Sequence, residues 1–366
     1  MKENQIFINY GAQARKMVKE LLSEIKIEAE LKKEYLIALK PNLINATKSQ
    51  KGATTDPELV KGVIEYLKEK DFYNLIIMEG SWVGENTKNA FKHCGYKEVS
   101  QKYEVPLYDL QKDDYITKTY QNINIEIAAT ALHADYIINL PVFKGHSQTK
   151  ITCALKNMKG CISNSEKRKF HRQGLHKPIA YLNKLITQDL IIVDGIYGDL
   201  DFEEGGSPVK MNRIMAAKDP VLIDSYVADL MGYSTSEVEY IDIADQIGVG
   251  KKDWKQAEIR ELNQKQTVKI EHATGNIKKY ASKIRAKDVC SACYGSLIHA
   301  LKKIDERGKL EDIPTPIKIG QGFQEEEFKG LGIGNCCQGA EKYIQGCPPS
   351  AKNVTNFLLK NNKRDN

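Results

Sequence analysis

A chain of 366 residues, 41% hydrophobic and 28% charged with a formal net charge of +6, has the balance of an ordinary globular protein and is long enough for a large core or two lobes. No apolar run approaches the ~20 residues needed to span a bilayer, and the opening "MKENQIFINYGAQARKMVKELL" has neither the apolar core nor the small-residue cleavage site of a secretory signal. The expectation is a cytoplasmic protein, and in that reducing compartment clustered cysteines are read as metal-binding or catalytic before they are read as bridges.

In chain order, four compact apolar runs stand out: "EYLIALK" (34–40), "NLIIMEG" (74–80), "ADYIINLPV" (134–142) and "DLIIVDG" (189–195). Each predicts a buried parallel strand. Between the first two, "TTDPELVKGVIEYLKEKD" predicts a helix. Asp56 can cap its start, Pro57 suits the first helical position, and Leu59, Val60, Val63, Ile64 and Leu67 line one face. "KDPVLIDSYVADLMGY" repeats the Asp-Pro start and ends at Gly232. Strands alternating with helices predict an α/β fold with a mainly parallel sheet flanked by helices over residues 1–250. Residues 251–284 are polar with weak periodicity and read as a connecting segment. Within the cysteine-rich stretch 285–366, "SACYGSLIHALKKIDERGKL" reads as one helix.

Parallel α/β sheets bind ligands beyond the carboxyl ends of their strands. Those ends carry "KPN" (40–42), "EGSWVGE" (79–85), "PVFKGH" (141–146) and "DGIYGD" (194–199), candidates for one cleft, with Lys40 and Asn42 as candidate substrate-binding residues. None has the glycine spacing of a dinucleotide fingerprint or a Walker loop, so no nucleotide is inferred. Asp194 and Asp199 could bind a cation or act as acids, although Asp-Gly after a strand commonly marks a turn.

Residues 141–177 hold nine lysines and arginines against a single acid, Glu166. Lys144, Lys156 and neighbouring amides could hold a carboxylate or phosphate. Nucleic acid is not expected, because only Phe143 and Phe170 interleave the charge. "EKRK" (166–169) reads as a solvated run. His146, near a strand end, is a candidate proton donor. His171 and His176 are five apart, poorly placed for one helical face, and no second metal is expected.

Five of the eight cysteines lie beyond residue 289: Cys290 and Cys293 in "DVCSACYGSL", then Cys336, Cys337 and Cys347. A Cys-x-x-Cys pair at a helix start presents two thiolates on one side, where the helix dipole favours thiolate over thiol. The "GNCC" and "GCPPS" segments can supply the rest of a tetrathiolate site, glycine allowing close backbone approach and proline fixing the loop. A zinc ribbon usually pairs two Cys-x-x-Cys knuckles. A Cys-Cys pair with a lone Cys-Pro instead favours a [4Fe–4S] cluster, with zinc, a redox dithiol or reduced core cysteines as the other possibilities. Neighbours in an extended segment point to opposite sides, so Cys336 and Cys337 do not both serve one cluster.

"KPNL", "TTDPELV", "INLPVFKGHSQTKITCALKNMKG", "DGIYGD" and "AAKDPVLIDSYVADLMG", in this order, resemble the family called domain of unknown function 362 over about residues 35–235. The tail "IGQGF…GLGIGNC…IQGCPPSA" is similar to the cysteine-rich iron–sulfur ending of one branch of that family. The resemblance implies iron–sulfur chemistry without a defined reaction. It favours Cys336 over Cys337, because "GNC" is the matching part, and it favours a site at Lys144, His146, Lys156 and Asn157. The resulting expectation is a cytoplasmic oxidoreductase in which a [4Fe–4S] cluster on Cys290, Cys293, Cys336 and Cys347 passes electrons to a small anionic substrate. His146 and Lys156 are the catalytic candidates, Lys40, Asn42, Lys144 and Asn157 bind substrate, and a redox partner such as a ferredoxin supplies electrons. The alternatives are an electron carrier with no substrate of its own and a zinc-stabilised binding module. No membrane partner is expected.

Overall fold

The apolar runs fold as strands because each is buried on both faces, which demands continuous rather than alternating hydrophobicity. A computed structural model of the chain describes residues 1–146, 148–200, 203, 208–264 and 276–362. Its strands are β1 Gln5–Tyr10, β2 Ile37–Pro41, β3 Leu75–Glu79, β4 Leu107–Asp109, β5 Tyr115–Tyr120, β6 Ile123–Ala128, β7 Tyr136–Leu140, β8 Lys144–His146, β9 Lys150–Thr152, β10 Leu190–Asp199, β11 Pro208–Ala217 and β12 Glu258–Glu261. Eight of them form one sheet in the order β12-β1-β11-β10-β7-β2-β3-β4. Only β11 runs against its neighbours, pairing antiparallel with β1 and β10. The architecture is α/β with a mostly parallel sheet flanked by helices. The carboxyl ends of β2, β3, β7 and β10 lie along one edge, where side chains from distant parts of the chain meet.

Both Asp-Pro segments start helices. Asp56 accepts from the Glu58 N–H at the head of Pro57–Glu69, and Asp219 accepts from Val221 and Leu222 at the head of Pro220–Leu230. Each cap satisfies N–H groups that the helix itself leaves unpaired. The Asp-Gly at 194 is not a turn: β10 continues through it to Asp199, with an irregularity between Gly195 and Tyr197. Asp194 is buried, and its carboxylate accepts from the N–H groups of Asp56 and Ile196 at 2.7 and 3.1 Å.

The chain divides into two compact units, residues 1–167 with 176–273, and residues 168–175 with 274–366. Of the stretch read as a connecting segment, β12 is an edge of the large sheet, parallel to β1, and the helix Asn276–Ala281 belongs to the second unit. That unit holds an all-parallel sheet of β13 Ile284–Ala286, β14 Ile317–Ile319, β15 Phe328–Ile333 and β16 Ala340–Ile344, in that order. The helix Ser291–Asp305 buries Leu297, Ile298, Leu301 and Ile304. It ends before the point that the sequence predicts, because Gly308 turns left-handed at φ +66° and only a short 3-10 turn, Leu310–Asp312, follows.

Candidate functional site

In the larger unit, Lys40 is the penultimate residue of β2 and Glu79 closes β3. Their side chains are 0% and 3% exposed, and the lysine Nζ lies 3.0 Å from both carboxylate oxygens. Two charges this deep are tolerated only when paired and fully hydrogen-bonded. The remaining valences are met: Nζ also donates to the Pro41 carbonyl, while Glu79 accepts from the N–H groups of Gly80 and Leu43 at 2.7 and 2.9 Å. Gly160 lies against the pair, and a Cβ there would come within 2.1 Å of Glu79 Oε1 and 2.6 Å of Lys40 Nζ.

An amide chain extends from this pair. Asn157 Oδ1 accepts from Asn42 Nδ2 at 2.8 Å, and Asn157 Nδ2 donates to Asn139 Oδ1 at 2.6 Å. Asn42 Oδ1 accepts in turn from Lys144 Nζ at 3.0 Å, a lysine that also donates to the Ala53 carbonyl. Lys40, Asn42, Lys144 and Asn157 thus share one buried network.

Asn157 and Lys156 sit on the short helix Ala154–Asn157, which cannot fix itself in one turn. Asp224, from the helix Pro220–Leu230, holds its start by accepting from the N–H groups of Ala154 and Leu155 at 2.7 and 3.2 Å. Burial pushes the Asp224 carboxyl up to about 7.

His146 and Lys156 meet at a carboxylate that the sequence reading missed, Glu203. Lys156 Nζ pairs with Glu203 Oε1, and His146 Nε2 lies 3.0 Å from Glu203 Oε2. His146 Nδ1 accepts from the N–H groups of Gln148 and Thr149 at 3.1 and 3.0 Å. The ring proton therefore resides on Nε2 and points at Glu203. Burial, and then the neighbouring Lys156 charge, push the imidazole down to about 4, so the ring is neutral near pH 7. Burial alone would raise Glu203, but Lys156 and His146 outweigh it and hold the carboxyl well below its ordinary range.

The run "EKRK" is solvated only in part. Residues 166–169 lie in the helix Asn164–Arg172, with Glu166 and Lys167 buried and Arg168 and Lys169 half-buried. Lys167 is 5% exposed and donates to the carbonyls of Gly80 and Ser81 at 3.1 and 2.8 Å. Burial, partly offset by Glu79, pushes its ammonium down to about 8. Helical periodicity turned part of this charged run inward, which composition alone does not register.

The smaller unit gathers the other candidates. Cys290 is the N-cap residue of Ser291–Asp305 and Cys293 lies in its first turn. Residues 334–339 return the chain from β15 to β16 and carry Cys336 and Cys337. This return is tied to the Cys347 loop, because Asn335 N donates to the Gly346 carbonyl at 3.0 Å and Gly346 N donates to Asn335 Oδ1 at 2.7 Å. Gly334 stands at φ +84°, and a Cβ there would lie 3.7 Å from Cys293 Sγ. Burial pushes the Cys293 thiol up, and the thiolate charges of Cys290, Cys347, Cys336 and Cys337 add to the effect. Cys337 is fully buried with its sulfur 3.6 Å from the Lys318 carbonyl oxygen, whereas Cys336 is half-buried. None of the eight cysteines is joined in a disulfide.

Among the described residues no three His, Cys, Asp or Glu side chains surround one point as ligands of a single ion. The cysteine set nevertheless fits a cubane cluster in kind. It offers soft thiol donors, and sulfurs around a cubane stand further apart than those around one ion, because each binds a different iron.

Among the described residues, no helix is long and apolar enough to cross a membrane. The chain is 25% identical over 227 residues to the thylakoid-associated protein sll1697 of Synechocystis, covering 58% of this chain and 68% of that protein. It is similar at 16% identity, with a TM-score of 0.37, to the lactate racemase apoprotein from Thermoanaerobacterium thermosaccharolyticum, over 58% of this chain and 54% of that one. The sequence profile of the family described as Domain of unknown function (DUF362) matches residues 37–229, more than half of the chain. That span includes Lys40, Asn42, Glu79, Lys144, His146, Lys156, Asn157, Glu203 and Asp224, and the protein belongs to this family.

Proposed function

We propose that the protein is a cytoplasmic iron–sulfur oxidoreductase, with a [4Fe–4S] cluster on Cys290, Cys293, Cys336 and Cys347 and a small anionic substrate bound by the lysines and amides of the larger unit. The observation that carries the cluster is the convergence of these cysteines: the loop that bears Cys336 is hydrogen-bonded to the Cys347 loop through Asn335 and Gly346, and Gly334 of that loop lies beside Cys293 Sγ in the first turn of the Cys290 helix. Crowded thiolates are costly unless a cationic centre compensates them, and scattered core cysteines have no reason to converge. A bound cluster supplies one-electron chemistry at a potential set by its surroundings. Its electrons come from a redox partner of the ferredoxin type.

The substrate class follows from the charges at the strand ends. Glu203 occupies, between Lys156 Nζ and His146 Nε2, the position that a substrate carboxylate or phosphate would take. A substrate entering there would receive two hydrogen-bond donors and a proton from Lys156 Nζ; the His146 ring, neutral with its one proton on Nε2, gives a hydrogen bond and not the proton expected of it from the sequence. Asp224 is a positioning residue in this scheme, because it fixes the helix that presents Lys156.

Anaerobic reductive titration followed by low-temperature electron paramagnetic resonance tests the redox assignment. The expected result is uptake of about one electron per chain with the appearance of a half-integer-spin signal. A protein that takes up no electrons and stays silent is not an iron–sulfur redox protein.

A further inference from the structure

Gln321 lies in "IGQGF", the stretch that opens the family-like tail, and the site described above leaves it without a role. Its backbone is pinned from both sides. Gly320 takes φ +122°, and a Cβ there would lie 2.0 Å from the Lys287 carbonyl oxygen, while a Cβ at Gly322 would lie 2.3 Å from Lys287 Cγ. Side chains at either position would push the turn away from residues 287–288. Gln321 N donates to the Asp288 carbonyl and Gly322 N to the Lys287 carbonyl, each at 3.1 Å. The turn is thereby docked immediately before Cys290.

The side chain is equally constrained. Gln321 Nε2 lies 3.3 Å from the Arg168 carbonyl oxygen, 3.4 Å from the Asp288 carbonyl oxygen and 3.5 Å from Cys290 Sγ. Two carbonyl oxygens facing one end of the carboxamide identify that end as nitrogen rather than oxygen. An N–H donor is therefore what faces the Cys290 sulfur.

We infer that Gln321 tunes the cysteine centre: resting on the iron–sulfur assignment above, its amide N–H donates to the Cys290 sulfur and raises the reduction potential of the cluster bound there. Reduction adds one electron from an external reductant to the centre, with no bond formed or broken and no proton moved. Part of the added negative charge falls on the cysteine sulfurs, so a donor at Cys290 stabilises the reduced form more than the oxidised form. Gln321 is a positioning residue and not a ligand.

The test is a spectroelectrochemical titration of the full chain, purified anaerobically, as wild type, Gln321→Leu and Gln321→Glu. Iron and sulfide contents should match in all three. Losing the donor in Gln321→Leu should weaken electron uptake about tenfold, which for a one-electron couple is ~59 mV toward more negative potential. Gln321→Glu keeps the shape of the side chain while adding negative charge, so it should shift further in the same direction, and it reports on the inference if the leucine variant does not fold. Unchanged potentials in cluster-loaded variants overturn the tuning role and leave the cluster assignment standing. Loss of iron from both variants gives Gln321 a holding role instead and overturns tuning. Wild-type protein without iron and sulfide overturns both assignments.

Discussion

Glu79→Ala is expected to destabilise the protein by about 3–5 kcal/mol, the cost of stranding one partner of a buried ion pair. The substitution leaves Lys40, whose side chain is 0% exposed, without its carboxylate and removes the acceptor for the N–H groups of Leu43 and Gly80. Water cannot readily take over, because Gly160 lies directly against the pair. The double variant Glu79→Met, Lys40→Met removes both charges at similar volume and should recover much of the loss, since a buried pair and a well-packed apolar replacement are often close in energy. Urea denaturation of the two single variants and the double variant reads the coupling directly. A Glu79→Ala variant within about 1 kcal/mol of wild type would show the pair to be hydrated, as surface pairs are, and would remove the anchor of the strand-end network.

The second large effect concerns the cysteines. Cys290→Ser, Cys293→Ser, Cys336→Ser and Cys347→Ser should each lose most of the iron and sulfide. Even partners outside the ligand set are worth roughly 10- to 100-fold in metal affinity, and a serine oxygen is a poor substitute for a soft thiolate donor. Cys337→Ser should retain its cluster, because the Cys337 sulfur is fully buried against the Lys318 carbonyl while Cys336, on the same loop, is only half-buried. Iron and sulfide retained in Cys336→Ser but lost in Cys337→Ser would reverse the assignment within the pair.

The central parallel strands were legible because double-sided burial leaves an uninterrupted apolar run, as in "LIIME" and "YIINL". Both main helices were legible because Asp-Pro caps are local in sequence. β1, β11 and β12 were not read. β11 begins half-exposed and becomes buried only toward its end, and its place beside β1 depends on pairing across some two hundred residues. No window of sequence contains that information.

The candidate site was legible on its basic side only. Lys40, Asn42, Lys144, His146, Lys156 and Asn157 stand in recognisable motifs, whereas the carboxylates that hold them are 39 residues away for Lys40 and 47 for Lys156. Glu79 carried a usable signal, a lone charge closing an otherwise apolar strand beside another that carries a lone lysine one residue from its end. Glu203, in "DFEEGG", carried none. The His146 tautomer follows from two backbone N–H groups that only the folded chain brings to Nδ1.

The most direct measurement is the iron, acid-labile sulfide and zinc content of the wild-type chain purified without oxygen. About four iron and four sulfide per chain, with a brown colour that bleaches on reduction, is the result expected for a cluster on Cys290, Cys293, Cys336 and Cys347. One zinc and no sulfide, or no metal at all, would contradict it.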